Sequence, residues 1–193
     1  KSYKLIHFFE ICLQQASSMT SESRPYIICF MTASIDGKLR TQRYSKSYYS
    51  DDYLNEYDVI ASNDLTYAGG LKRQAIIIGR LTYYEDCCKK EFDYLKYSPA
   101  STFVPHKAKS TTEIYAIITD SKGKSIYDDN KAFGYNVIAV LGETVSEEYL
   151  RYLREKEVSY VFAGKDGHDF HKALKQLQEV FGLERLMLEG GGS

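Results

Sequence analysis

Tryptophan is absent from the 193 residues, cysteine occurs only four times, and neither sign of charge dominates: 25 Lys and Arg stand against 26 Asp and Glu. The resulting net charge of −1 argues against nucleic acid as the main partner, because binding a phosphate backbone draws on a surplus of clustered cations. No apolar run reaches the roughly 20 residues of a membrane-crossing helix. Cys12, Cys29, Cys87 and Cys88 lack metal-ligand spacing, and the adjacent pair cannot bridge to itself without strain. The expectation is a chain with no metal and no membrane partner, working in a reducing, cytoplasmic setting, with Cys29 a small core residue of an apolar strand.

What is present is an ordinary globular composition, 44% hydrophobic and 26% charged, of a size for one domain with a single core. Tyrosine is abundant at 18, many of them between positions 44 and 97. Half-exposed surface rings are the first reading of these, and an aromatic pocket or subunit contact the sharper one. Residues 1–22 read as an N-terminal extension. Its apolar stretch, Leu5 to Leu13 with Glu10 inside it, is expected to form a short helix or displaced strand that docks on the domain or on a second subunit.

From 23 to 193 the pattern alternates. Arg24 to Ser34 is β-branched and aromatic, its apolar pattern continuous rather than alternating, the mark of a strand buried on both faces. Asp36-Gly37 turns the chain, and Asp51 to Ile60 has helical spacing. Further strands are expected over 75–78, 114–119, 136–141, 158–162 and 184–189. Between them fall a helix starting near Gly79 to Thr82, one capped by Ser146, and one over 168–181 stopped by Gly182. Residues 98–112 read as a loop. Strands alternating with helices predict an α/β layer fold with a mostly parallel sheet.

Ligands of such sheets bind beyond the carboxyl ends of the strands. Four suggestive segments lie at those ends: Ala33-Ser34, Gly79 to Thr82, Asp120-Ser121, and Glu189 followed by Gly190, Gly191, Gly192 and Ser193. Three consecutive glycines after a strand let backbone N–H groups approach an anion closely, though a flexible tail is the bland alternative. Lys122 and Lys124 belong either to a solvated loop or to a phosphate-selecting one. His168 and His171 read as surface residues, and Asp36 as a turn residue.

Four motifs together resemble the dihydrofolate reductase-like superfamily, in particular the reductase domain of bacterial riboflavin-biosynthesis deaminase-reductases. They are Ser34-Ile35-Asp36-Gly37-Lys38 after the first strand, Ile78-Gly79-Arg80-Leu81-Thr82 with Asp86 beyond it, Ile118-Thr119-Asp120-Ser121, and Leu188-Glu189-Gly190-Gly191. The resemblance implies a three-layer α/β/α fold whose closing C-terminal strands are missing from this chain. It also implies an NADPH-dependent reductase, transferring hydride to a pyrimidine, pterin or related small heterocycle, and a homodimer.

By the same resemblance, Gly190, Gly191, Gly192 and Ser193 hold the cofactor diphosphate, Ala33 lines the nicotinamide pocket, and Thr82 contacts the cofactor at a helix start. Gly79, Arg80 and Ser121 complete the cofactor set, the guanidinium suiting a phosphate. Asp86 and Glu189 are the catalytic candidates and, with Ser34, the substrate contacts. Riboflavin reductases carry a small residue at the place of Arg80 and an Asp-Pro pair where Cys87-Cys88 stand, so the expected substrate is left broad. The other classes in view are a non-catalytic nucleotide- or flavin-binding module of the same fold, and an interaction protein using its tyrosine-rich face.

Overall fold

The computed structural model describes residues 24–29, 74–112 and 114–189. Among them the chain forms strands β1 (Tyr26–Cys29) and β2 (Ala75–Gly79), helix α1 (Arg80–Asp86), and strands β3 (Tyr115–Thr119), β4 (Lys131–Ala132) and β5 (Tyr135–Leu141). Helix α2 (Glu147–Glu155), strand β6 (Ser159–Phe162), helix α3 (Phe170–Phe181) and strand β7 (Arg185–Leu188) follow. The sheet runs β1-β7-β2-β3-β5, with β6 parallel on the far side of β5. Only the two-residue β4, folded back on the start of β5, pairs antiparallel among the described strands.

Because side chains alternate across a strand, each central strand feeds both faces. Ile76, Ile78, Ala116, Ile118, Val137 and Ala139 face α1 and α2, where Tyr83, Tyr149, Leu150 and Leu153 are buried. Ala75, Ile77, Tyr115, Ile117, Ile138 and Val140 face α3, through Ala173, Leu177 and Phe181. The result is the three-layer α/β/α arrangement expected from the sequence. Burying one such aliphatic side chain is worth about 1.5–3 kcal/mol, so the two continuous apolar faces hold the layers together.

Helix ends follow local chemistry. Ser146 caps α2, its hydroxyl accepting from the Tyr149 N–H at 3.1 Å, and Glu147 and Glu148 occupy the first turn. Asp169 caps α3 by accepting from the Lys172 N–H at 3.0 Å, and Gly182 ends it in the left-handed conformation at φ 70°. Phe170, placed by its spacing on the apolar face of this helix, is instead 43% exposed in its first turn. The 98–112 segment lies along the outer edge of β6, where His106 and Tyr160 exchange both backbone hydrogen bonds. That contact covers an edge otherwise open to a further strand.

Two expectations for the first strand are corrected. Within β1, Tyr26 and Ile27 are 46% and 39% exposed and Cys29 is exposed rather than in the core. The strand is outermost in the described sheet, where it pairs with β7 alone among the described strands. A continuous apolar run marks a strand but not its place in the sheet. The helix expected over 51–60 lies outside the described residues.

Candidate functional site

Parallel pairing brings the strand ends to one rim. Gly79 is in register with Thr119, and Thr119 with Val140. On the other side of β2, the Glu189 N–H donates to the Ile77 carbonyl at 2.9 Å, continuing the β7 ladder one step beyond Leu188. The residues that follow each strand therefore emerge side by side: Glu189, then Arg80, then Asp120 and Ser121, then Gly142. Strand β7, inserted between β1 and β2, makes this possible.

A cleft of about 170 Å³ opens at this rim, lined by Arg80, Thr119, Asp120, Ser121, Lys122 and Lys124. Asp120 organises it from below. Its buried carboxylate accepts the Lys124 N–H at 3.0 Å and the Ser125 N–H at 2.7 Å, and the Tyr149 hydroxyl stands 3.2 Å away. Those amide bonds curl the 121–125 turn over the aspartate and leave both lysine side chains at the rim. Burial first, and the Asp120 carboxylate second, push the Tyr149 phenol well above its ordinary range, so it remains a proton donor to its acceptors. Arg80, the first residue of α1, donates from Nη1 to Glu91 Oε1 at 2.6 Å. The Lys124 ammonium lies over the Tyr94 ring, 4.9 Å from its centre.

The wall beside the cleft is backbone against backbone. The Gly142 N–H donates to the Ser121 carbonyl at 2.9 Å, and a Cβ on Gly142 would lie 2.6 Å from that oxygen. Gly167, at φ +77°, approaches from the loop after β6, and a Cβ there would lie 2.4 Å from Ser121 Cβ. Neither glycine was among the residues singled out in the sequence. Gly164-Lys165-Asp166-Gly167 carries a visible turn signal, but only the fold shows that it packs on the turn after β3.

The structure thus gathers Arg80 and Ser121 into one cleft with Lys122 and Lys124, and Gly79 immediately precedes Arg80 there; a Cβ on Gly79 would meet nothing within 4 Å among the described residues. Thr82 is not a helix cap: α1 begins at Arg80 with Gly79 as its cap residue, because the strand passes straight into the helix there. Thr82 is the third helical residue and Asp86 the last, four positions apart and so on one side of α1. Asp86 is exposed. Glu189 follows Met187 by two residues, and the Met187 side chain joins the core face that holds Tyr83 of α1. Strand alternation therefore directs Glu189 to the α1 side of the sheet. Ala33, Ser34, Gly190, Gly191, Gly192 and Ser193 lie outside the described residues.

A family model described as the RibD C-terminal domain matches residues 25–193. The chain belongs to this family. A solved structure similar to it is that of the Saccharomyces cerevisiae riboflavin biosynthesis reductase Rib7, at 17% identity and a TM-score of 0.48. The match covers 90% of this chain and 66% of that one, so the chain spans about two thirds of its length. No curated protein matches. Family membership and the parallel three-layer architecture agree with the fold that the four motifs imply.

Proposed function

We propose that this RibD C-terminal domain is a reductase that uses NADPH and acts on a pyrimidine, pterin or related small heterocycle. The observation that carries the proposal is the rim cleft, where three cationic side chains converge beside two parallel strand ends. A nucleotide bearing a free phosphate fits that donor set: Arg80 offers a planar fork of N–H groups, Lys122 and Lys124 add charge, and Ser121 adds a hydroxyl. Among the described residues nothing lies within 4 Å of a Cβ built on Gly79, which suits a close approach of the cofactor backbone. Gly190, Gly191, Gly192 and Ser193, which follow Glu189 in the sequence, are assigned to the diphosphate; Thr82 and Ala33 are assigned to the rest of the cofactor.

When bound, the nicotinamide supplies the hydride. The protein's part is to orient the two rings, keep water away and move one proton. Glu189, which leaves the sheet on the α1 side, is assigned to accept hydrogen bonds from a heterocycle's ring N–H groups. Asp86 and Glu189 are the candidate proton carriers, and Ser34 a further substrate contact. Family resemblance also favours a homodimer.

Thermal-shift and fluorescence titrations with NADPH and NADH test the reading. NADPH is expected to stabilise the protein more than NADH, and Arg80→Gln to remove most of the difference. Equal responses to both nucleotides, unchanged in Arg80→Gln, overturn the assignment of this cleft to the extra phosphate.

A further inference from the structure

We infer that Glu91 sets the phosphate affinity of the rim cleft, acting as a fixed counter-charge that shares Arg80 with the incoming anion. This rests on the cofactor reading above and concerns the regulation of that same site.

Glu91 comes from neither α1 nor the lysine turn, yet it is tied to both. Its carboxylate takes an N–H of Arg80 at 2.6 Å. Its backbone forms a bridge with Ser125, and the next residue, Phe92, donates its N–H to the Lys124 carbonyl at 2.7 Å. The segment carrying the carboxylate is therefore stitched to the same turn that presents Lys122 and Lys124. The backbone that carries the carboxylate is thus tied to the cleft, and the Arg80 contact turns the side chain toward it.

The local charges show what this does. Arg80, Lys122 and Lys124 are cationic and Asp120 is anionic. Asp120 is buried and committed to two amides, with the Tyr149 hydroxyl beside it. Among the described residues, Glu91 lowers the surplus at the cleft from two positive charges to one. A guanidinium has five N–H donors, so Arg80 can serve Glu91 from one side and a phosphate from the other. A phosphate dianion, however, is repelled by Glu91 through both of its charges, whereas a dinucleotide lacking that phosphate puts no such group in the cleft. Glu91 thus weakens preference for the phosphorylated nucleotide.

The competing role is mechanical, with Glu91 only holding Arg80 in place. Glu91→Gln separates the two, because the amide oxygen still accepts from Arg80 while the charge is gone. The full chain and the Glu91→Gln and Arg80→Gln variants are titrated with NADPH and NADH at low and high salt, with melting temperature as a check on folding. Glu91→Gln is expected to bind NADPH roughly three- to tenfold more tightly at low salt, with NADH unchanged and the gain shrinking as salt rises. Unchanged or weaker NADPH binding in Glu91→Gln, while the wild type prefers NADPH and Arg80→Gln does not, overturns the inference and leaves the cofactor reading standing. Absence of any NADPH preference in the wild type, with Arg80→Gln also without effect, removes both.

Discussion

Gly167 faces Ser121 so closely that a single added methyl would lie 2.4 Å from the serine Cβ. The contact locks the loop after β6 against the turn after β3, on the wall of the basic cleft. Gly167→Ala meets two obstacles, the clash and a backbone held at φ +77°. It is expected to lower stability by about 2–4 kcal/mol and to weaken nucleotide binding by displacing Ser121. Gly182→Ala is the control. It shares the positive φ, at +70°, but its Cβ meets nothing within 4 Å among the described residues, so only backbone strain of about 1 kcal/mol is expected. Urea unfolding of both variants checks the difference.

Asp120 holds a turn rather than a substrate. Asp120→Ala strands the Lys124 and Ser125 amides, and a loss of roughly 2–4 kcal/mol is expected, with phosphate-dependent binding impaired because both lysines move. Asp120→Asn retains an acceptor oxygen and is expected to lose less. Equal losses in the two variants would show that the amide bonds are not what matters.

Tyr127 and Tyr149 are buried side by side but differ in their hydroxyls. Tyr149 donates to the Ser125 carbonyl at 2.8 Å, while the Tyr127 hydroxyl has no partner in hydrogen-bonding geometry among the described residues. Tyr149→Phe is expected to cost about 1–2 kcal/mol, whereas Tyr127→Phe is expected to be neutral or stabilising. Denaturant midpoints, compared at equal slope, decide it.

Stability should also depend on His106. Its ring packs on Tyr160, 5.3 Å between centres, and burial first, then the nearby Arg154 cation, lower its pKa from the ordinary 6.5. The unfolded chain therefore takes up this proton at a higher pH than the folded protein. The stabilisation is complete above 6.5 and is lost as pH falls through the lowered folded value. His106→Phe keeps a ring on Tyr160 without the titration, and its melting temperature should fall less between pH 7 and 5 than that of the wild type. Parallel pH profiles would rule out the histidine as the source.

Capping offers a simpler case. Ser146→Ala removes the acceptor for the Tyr149 N–H at the start of α2, and a loss of about 1 kcal/mol is expected; Ser146→Asp should recover most of it. Thermal melts read both.

Much of this was legible in the sequence, since elements such as β3, β5, α2 and α3 are defined by neighbours in the chain. The runs Ile76-Ile77-Ile78 and Val137 to Leu141 mark strands, Ser146 with two glutamates marks a helix start, and Gly182 marks a helix end. These signals are local, and local chemistry decides them. The order of strands is not local. Nothing in Arg185 to Leu188 says that β7 enters between β1 and β2, yet that insertion puts Glu189 beside β2. The edge position of β1, which leaves Cys29 exposed, the pairing of Arg80 with Glu91, and the close approach of Gly142 and Gly167 to Ser121 are of the same kind. Local pattern was enough for the layer class, the helix ends at Ser146 and Gly182 and the residue types at the strand ends. Which of those ends share a cleft depends on register and packing, which join residues that the chain keeps far apart.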